Sequence, residues 1–206
     1  MNERHKSLEN EMRTSWFKDH VAAYKVFKAE DGEIIEFLRW GKPNSSTFSV
    51  TYMFRFGFLF VYGDLGEAVY QWHPSIGTLR NIAGCNLDYF AGKCSASENG
   101  RGYKSWDEDS ARESILDHMM DKASYDEDKT FDALSEEFRE LGGWEAIHSE
   151  YSWIKWLEDN GFNFFGDEYF EYGGIGMEID SRCRSHLVGL KMAFEQIESQ
   201  KEAENV

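Results

Sequence analysis

Four carboxylates stand at one spacing between residues 109 and 121: Asp109, Glu113, Asp117 and Asp121. On a helix, steps of four bring them onto one stripe. Two kinds of chemistry can use such a stripe. The first is metal binding, because Asp117-His118 with Asp121, and Glu145 with His148, set acid beside imidazole. A helical zinc site of the HExxH kind needs two histidines four residues apart, and no pair here has that spacing. "DEDSARESILDH" lacks the central glycine of a calcium loop. These histidines read as surface or half-buried side chains, and no metal or other cofactor is expected.

The second chemistry is electrostatic. Asp107, Glu108, Asp126, Glu127, Asp128, Glu136, Glu137 and Glu140 extend the stripe on either side. From Glu98 to Tyr172 there are 21 acids and 7 bases, whereas the remaining residues carry 17 acids and 15 bases. The net charge of −16 is therefore a property of one segment. Direct binding of nucleic acid through that segment is disfavoured, since phosphates need Lys and Arg. Two readings stay open. One is a solvated face that favours solubility. The other is a surface that imitates nucleic acid and fills a basic groove on a partner. Duplex DNA carries one charge per ~1.7 Å of axis, against one per ~6 Å for a single helical stripe. Only several acidic elements together could compete.

Nucleophilic catalysis finds little support. Cys85, Cys94 and Cys183 are widely spaced and form no CxxC pair; they read as reduced, packed thiols. No G-x-S-x-G elbow occurs. Paired carboxylates could do acid–base work, but among 38 acids such pairs arise by chance. Gly63-Asp64-Leu65-Gly66 resembles a ligand loop only in composition. A phosphate loop runs into a helix, whereas this turn runs into strand-like "EAVYQW", so it reads as a corner between strands.

The elements that would position these residues follow from periodicity. Residues 1–20 read as a polar helix with Leu8, Met12, Trp16 and Phe17 on one stripe. Asp31-Gly32 and Phe56-Gly57 then punctuate hydrophobic runs rich in β-branched and aromatic residues, giving a meander of four or five strands. Short helices are expected over 76–83 and 86–97. Ser105-x-x-Glu108 is a capping box that opens a helix running to about Lys122. Another helix spans 130–141 and stops at Gly142-Gly143. Trp144, Ile147, Tyr151, Ile154 and Leu157 predict one buried face on a helix reaching about Asn160. Phe162, Phe164, Phe165, Tyr169, Phe170 and Tyr172 read mostly as core, with a minority exposed as interface anchors. A last helix covers about 181–200, with Leu187, Leu190, Phe194 and Ile197 inward. No apolar stretch has the ~18 residues of a membrane span, and the charged N-terminus holds no apolar signal core.

Trp16, Phe17 and His20, then Gly63 to Ala68, Asn86 to Phe90 and Lys93 to Ala96 make a recurring pattern. It resembles an uncharacterised family of small proteins encoded by bacteriophages and prophages, over roughly residues 15 to 110. The resemblance brings no active site. It implies an accessory phage gene acting in the host bacterial cytoplasm, of the kind that counters host defences, as anti-CRISPR proteins do.

The expectation is a single α+β domain: residues 1–97 form a helix, an antiparallel meander and short helices, and residues 98–206 form an acidic, mostly helical half. The function expected is that of a non-catalytic, anti-CRISPR-like inhibitor whose acids between Asp107 and Glu140 meet the basic groove of a nucleic-acid-handling defence protein. Pairing into a homodimer is left open. Two rivals remain: a metal-dependent phage enzyme using clustered carboxylates, and a virion assembly protein that oligomerises through the Leu187–Ile197 helix.

Overall fold

In the computed structural model, which describes residues 3–98, 103–125 and 129–204, the chain builds two compact units. The first comprises residues 1–103 and 179–206, and the second residues 104–178. The architecture is α+β, with an antiparallel sheet in the N-terminal part and helices in the C-terminal half. The division does not fall at residues 97 and 98, because the last helix belongs with the sheet.

The first unit opens with α1 (Glu3–Glu11), which widens into a π turn over Met12–Trp16 and buries Met12 and Phe17. Strands β1 (Val21–Lys28), β2 (Ile34–Gly41), β3 (Val50–Arg55), β4 (Phe58–Gly63) and β5 (Ala68–Gln71) form an antiparallel meander. Asp31-Gly32 turns the chain between β1 and β2, where the Asp31 carboxylate accepts from the Glu33 amide at 3.0 Å. Phe56 and Gly57 both have positive φ, as a two-residue hairpin loop requires.

Beyond β5 lie the short helices α2 (Leu79–Ala83) and α3 (Leu87–Ala91), capped by Thr78 and Asn86. Helix α3 stops at Gly92, and Cys94–Ser97 (β6) adds a sixth strand beside β5. The helix expected through residue 97 thus ends early, because pairing with β5 satisfies this backbone better than another helical turn.

The inner face of the sheet carries Leu38, Trp40, Tyr52, Phe54, Leu59, Val61 and Tyr70, all buried. The long helix of residues 181–204 packs against it through Leu187, Leu190, Ala193 and Phe194. Gly189 permits the close approach: a Cβ there would stand 2.8 Å from the Tyr52 hydroxyl and 3.2 Å from Trp40 Cδ1.

The second unit begins and ends on two short strands that pair, β7 (Lys104–Trp106) and β8 (Met177–Ile179). Between them lie α4 (Glu108–Tyr125), α5 (Phe131–Glu140), α6 (Gly143–Ala146), α7 (Glu150–Trp156) and α8 (Phe162–Phe165). The last helix of the first unit is α9 (Ser181–Glu204). Ser105 lies in a strand and does not cap α4; Asp107 does, accepting from the Ser110 amide at 2.8 Å. The helix expected from Trp144 to Asn160 is broken at Ser149, whose side chain accepts from the Ser152 amide and starts α7 afresh.

This break changes the buried face. Trp153, Trp156 and Leu157 point inward, whereas Tyr151 and Ile154 are exposed. The core here is aromatic: Trp153, Trp156, Phe138 and Phe164 meet edge-on, tilted or stacked at centroid distances of 5.0 to 6.4 Å. Three of its indoles find a carbonyl, Trp106 on Ile147, Trp153 on Tyr172 and Trp156 on Leu141.

Candidate functional site: an acidic unit

Residues 104–178 contain 21 acids and 6 bases, a net of −15, which leaves the sheet unit near neutral at −1. The acidity is therefore confined to one folded body, more sharply than the sequence segment indicated.

Within it, helix geometry decides where the carboxylates point. On α4 the buried residues are Ala111, Ile115 and Met119. Asp109, Glu113, Asp117 and Asp121 are offset from these by two residues, about 200° of rotation, and all four are exposed. The same offset recurs on α5, where Leu134 and Phe138 are buried while Asp132, Glu136 and Glu140 are exposed. Both helices thus turn their acids directly away from the core they build.

The other predicted residues play different parts. Asp107 is half-buried as the α4 cap. Glu108 is half-buried between His148 Nδ1 at 2.7 Å and Arg112 at 3.5 Å, and these partners lower its pKa, His148 first. Glu136 pairs with Arg139, and Glu137 with Lys129 at 3.4 Å. Glu113, Asp117 and Asp121 make no ion pair among the described residues. Asp126, Glu127 and Asp128 lie outside the described residues.

The suggested acid–imidazole pairings are not assembled. His118 turns toward the core, where the Tyr172 hydroxyl meets its Nδ1 at 2.7 Å and Phe165 lies edge-on at 5.0 Å. Burial lowers its pKa. His148 takes Glu108 as its partner, not Glu145. Among the described residues no group of three or more His, Cys, Asp or Glu is placed to hold a metal ion.

Beside the acids the unit exposes large apolar groups. Tyr125 is 88% exposed, Tyr151 80%, Phe170 68% and Phe162 61%. Of the aromatic segment only Phe164 is fully buried; Phe165, Tyr169 and Tyr172 are half-buried. Exposed Tyr and Phe set among charges are typical anchors of protein–protein contacts.

In the first unit, Gly63 to Gly66 form the strand corner expected. Asp64 accepts from the Phe48 amide at 2.7 Å, and the Leu65 carbonyl meets His186 Nε2 at 3.1 Å. His186 is buried, and the Tyr70 hydroxyl donates to its Nδ1 at 2.9 Å. The adjacent cavity, lined by Tyr70, Cys94, Cys183 and His186, holds about 30 Å³, room for roughly one water. Burial pushes the Cys183 thiol up to about 12 and the His186 ring down to about 4. Burial thus favours the uncharged thiol and imidazole, and the hydrogen bonds of His186 tie α9 to the sheet.

On α9, Leu187, Leu190 and Phe194 are buried in the unit's own core, and Ile197 packs partly against it. Sequence reading missed a different apolar surface, on the outer side of the sheet. Its signal lay in "TYMFR" and "FLFVY", where large apolar residues occupy both alternating positions, as in strands covered on two faces.

No helix is long and apolar enough to cross a membrane among the described residues. No protein-family model, no curated protein and no solved structure matches the chain.

Proposed function

We propose that the chain is a non-catalytic binding protein whose acidic unit, residues 104–178, occupies the cationic groove of a nucleic-acid-handling partner and blocks it. The observation that carries this reading is the coincidence, on one compact unit, of a net charge of −15 with exposed Tyr125, Tyr151, Phe162 and Phe170. Charge steers the encounter over about a Debye length, ~10 Å at 0.1 M salt. The aromatic side chains then hold the complex once water is expelled. Two acidic helix faces, each turned away from the core, supply the several charged elements that a single stripe lacks. The resemblance of residues 15 to 110 to phage-encoded proteins supports a host defence complex as that partner, a CRISPR effector first among them, met in the host cytoplasm.

The test is phage plating on bacteria with an active CRISPR or restriction system, with and without the protein. Wild type is expected to raise plating on one such host. A variant with Asp109→Asn, Glu113→Gln, Asp117→Asn and Asp121→Asn is expected to lose that effect. Unchanged plating across the defence types would overturn the proposal.

A further inference from the structure

The sheet is apolar on both faces, and only one is covered by α9. On the other, one row crosses five strands in register: Phe37 opposite Met53, Met53 opposite Phe60, Phe60 opposite Val69 and Val69 opposite Ala96. Met53 and Phe60 are each 38% exposed. Phe58 stacks on Phe60 at 6.4 Å and extends the patch to the next row. An open hollow of about 400 Å³ lies along β4 to β6 on this side, lined by Phe60, Tyr62 and Val69.

We propose that this face is closed by the same face of a second copy, giving a two-fold dimer of sheet packed on sheet. Charge on the face argues for this occupant. Arg39 on β2 and Glu67 just before β5 are both exposed, and neither has an ion-pair partner among the described residues. Arg39 lies between the inward-facing Leu38 and Trp40, and Glu67, next to the inward-facing Ala68, lines the hollow with Phe60 and Tyr62, so both point outward.

They also lie at one level of the sheet. Arg39 is opposite Thr51, Thr51 is opposite Tyr62, and the pairing of Val61 with Ala68 sets Glu67 level with Tyr62. A two-fold axis parallel to the strands, between β3 and β4, lays β2 of one copy over β5 of the other. Arg39 then meets the partner's Glu67 twice over, and Met53 meets the partner's Phe60 at the centre. Such isologous self-complementarity is what a closed dimer requires.

The area is adequate. Six strands at ~4.8 Å and six residues at ~3.4 Å span about 600 Å² in projection. Standing side chains raise the accessible area toward the ~800 Å² per partner of a standard interface. Aligned sheets pack about 10 Å apart with strands within about 30°, which this axis allows.

Sedimentation velocity on the full chain over a wide concentration range tests the proposal. Wild type is expected to dimerise. Phe60→Glu is expected to be monomeric with unchanged circular dichroism and melting, since the site is exposed. Arg39→Glu is expected to weaken the dimer roughly tenfold, and Arg39→Glu with Glu67→Arg to restore it. A wild-type chain that stays monomeric, a Phe60→Glu variant that dimerises as wild type does, or a double variant no tighter than the single one would each overturn the proposal.

Discussion

At the scale of single residues, His186 is held from several sides. Both ring nitrogens are hydrogen-bonded in the core, to Tyr70 and to the Leu65 carbonyl, and Tyr52 donates to its backbone carbonyl at 2.8 Å. Burial is the first cause of its low pKa, about 4 against an ordinary 6.5; the hydrogen bond to the Leu65 carbonyl and then Asp180 oppose it, and Arg182 adds to it. The consequence for stability has a definite sign. Above about pH 6.5 the ring is neutral in both states and its contribution is complete. As pH falls toward 4, the unfolded chain takes up a proton that the folded chain refuses, so stability drops by about 3 kcal/mol in all. Below about pH 4 the loss levels off. His20 and His118, also lowered by burial, act in the same direction. Urea unfolding from pH 7 to 4 is expected to show this fall, and NMR titration to place His186 near 4; a midpoint near 6.5 would refute the burial account. Gly63 supplies a second prediction. Its φ is +143°, and a Cβ would stand 2.3 Å from the Ser49 carbonyl oxygen. Gly63→Ala is expected to cost roughly 1–3 kcal/mol or more, read as a lower urea midpoint.

At the scale of elements, α4 carries opposed demands. Three like-charge steps of four residues cost roughly 0.6–1.5 kcal/mol at low salt. Neutralising Asp109, Glu113, Asp117 and Asp121 is therefore expected to raise the melting temperature in dilute buffer, by less at high salt, and, under the proposed function, to abolish inhibition. A gain in stability with inhibition intact would mark the stripe as a solvated face. The hairpins at Asp31-Gly32 and Phe56-Gly57, the corner at Gly63 to Gly66, and α5 and α9 were legible in the sequence, because turn residues and apolar spacing there agree with the tertiary packing. Two features were not. Strand β6 follows a capped helix of five residues and owes its conformation to pairing with β5, a partner distant in sequence. The break at Ser149 swaps Tyr151 and Ile154 for Trp153 and Trp156, because a serine inside a periodic stretch can cap a helix as readily as continue one.

At the scale of the molecule, the acidic unit is inserted between two segments of the sheet unit. Its own ends pair as β7 and β8, and the Asp180 amide donates to the Tyr103 carbonyl at 2.8 Å, so the flanking chain ends also meet. Each unit has its own aromatic core. Residues 104–178 expressed alone are therefore expected to fold, with Trp106, Trp144, Trp153 and Trp156 reporting a cooperative transition in fluorescence; a fragment without one would show that the core depends on the rest of the chain. The decisive measurement is competition for a purified CRISPR effector, in which the full chain displaces fluorescent duplex or guide nucleic acid over a range of salt. Displacement that weakens steeply as salt rises and vanishes in the four-residue neutral variant is the predicted result. No displacement at low salt, or equal displacement by the neutral variant, would contradict the claim that this unit acts as a polyanion.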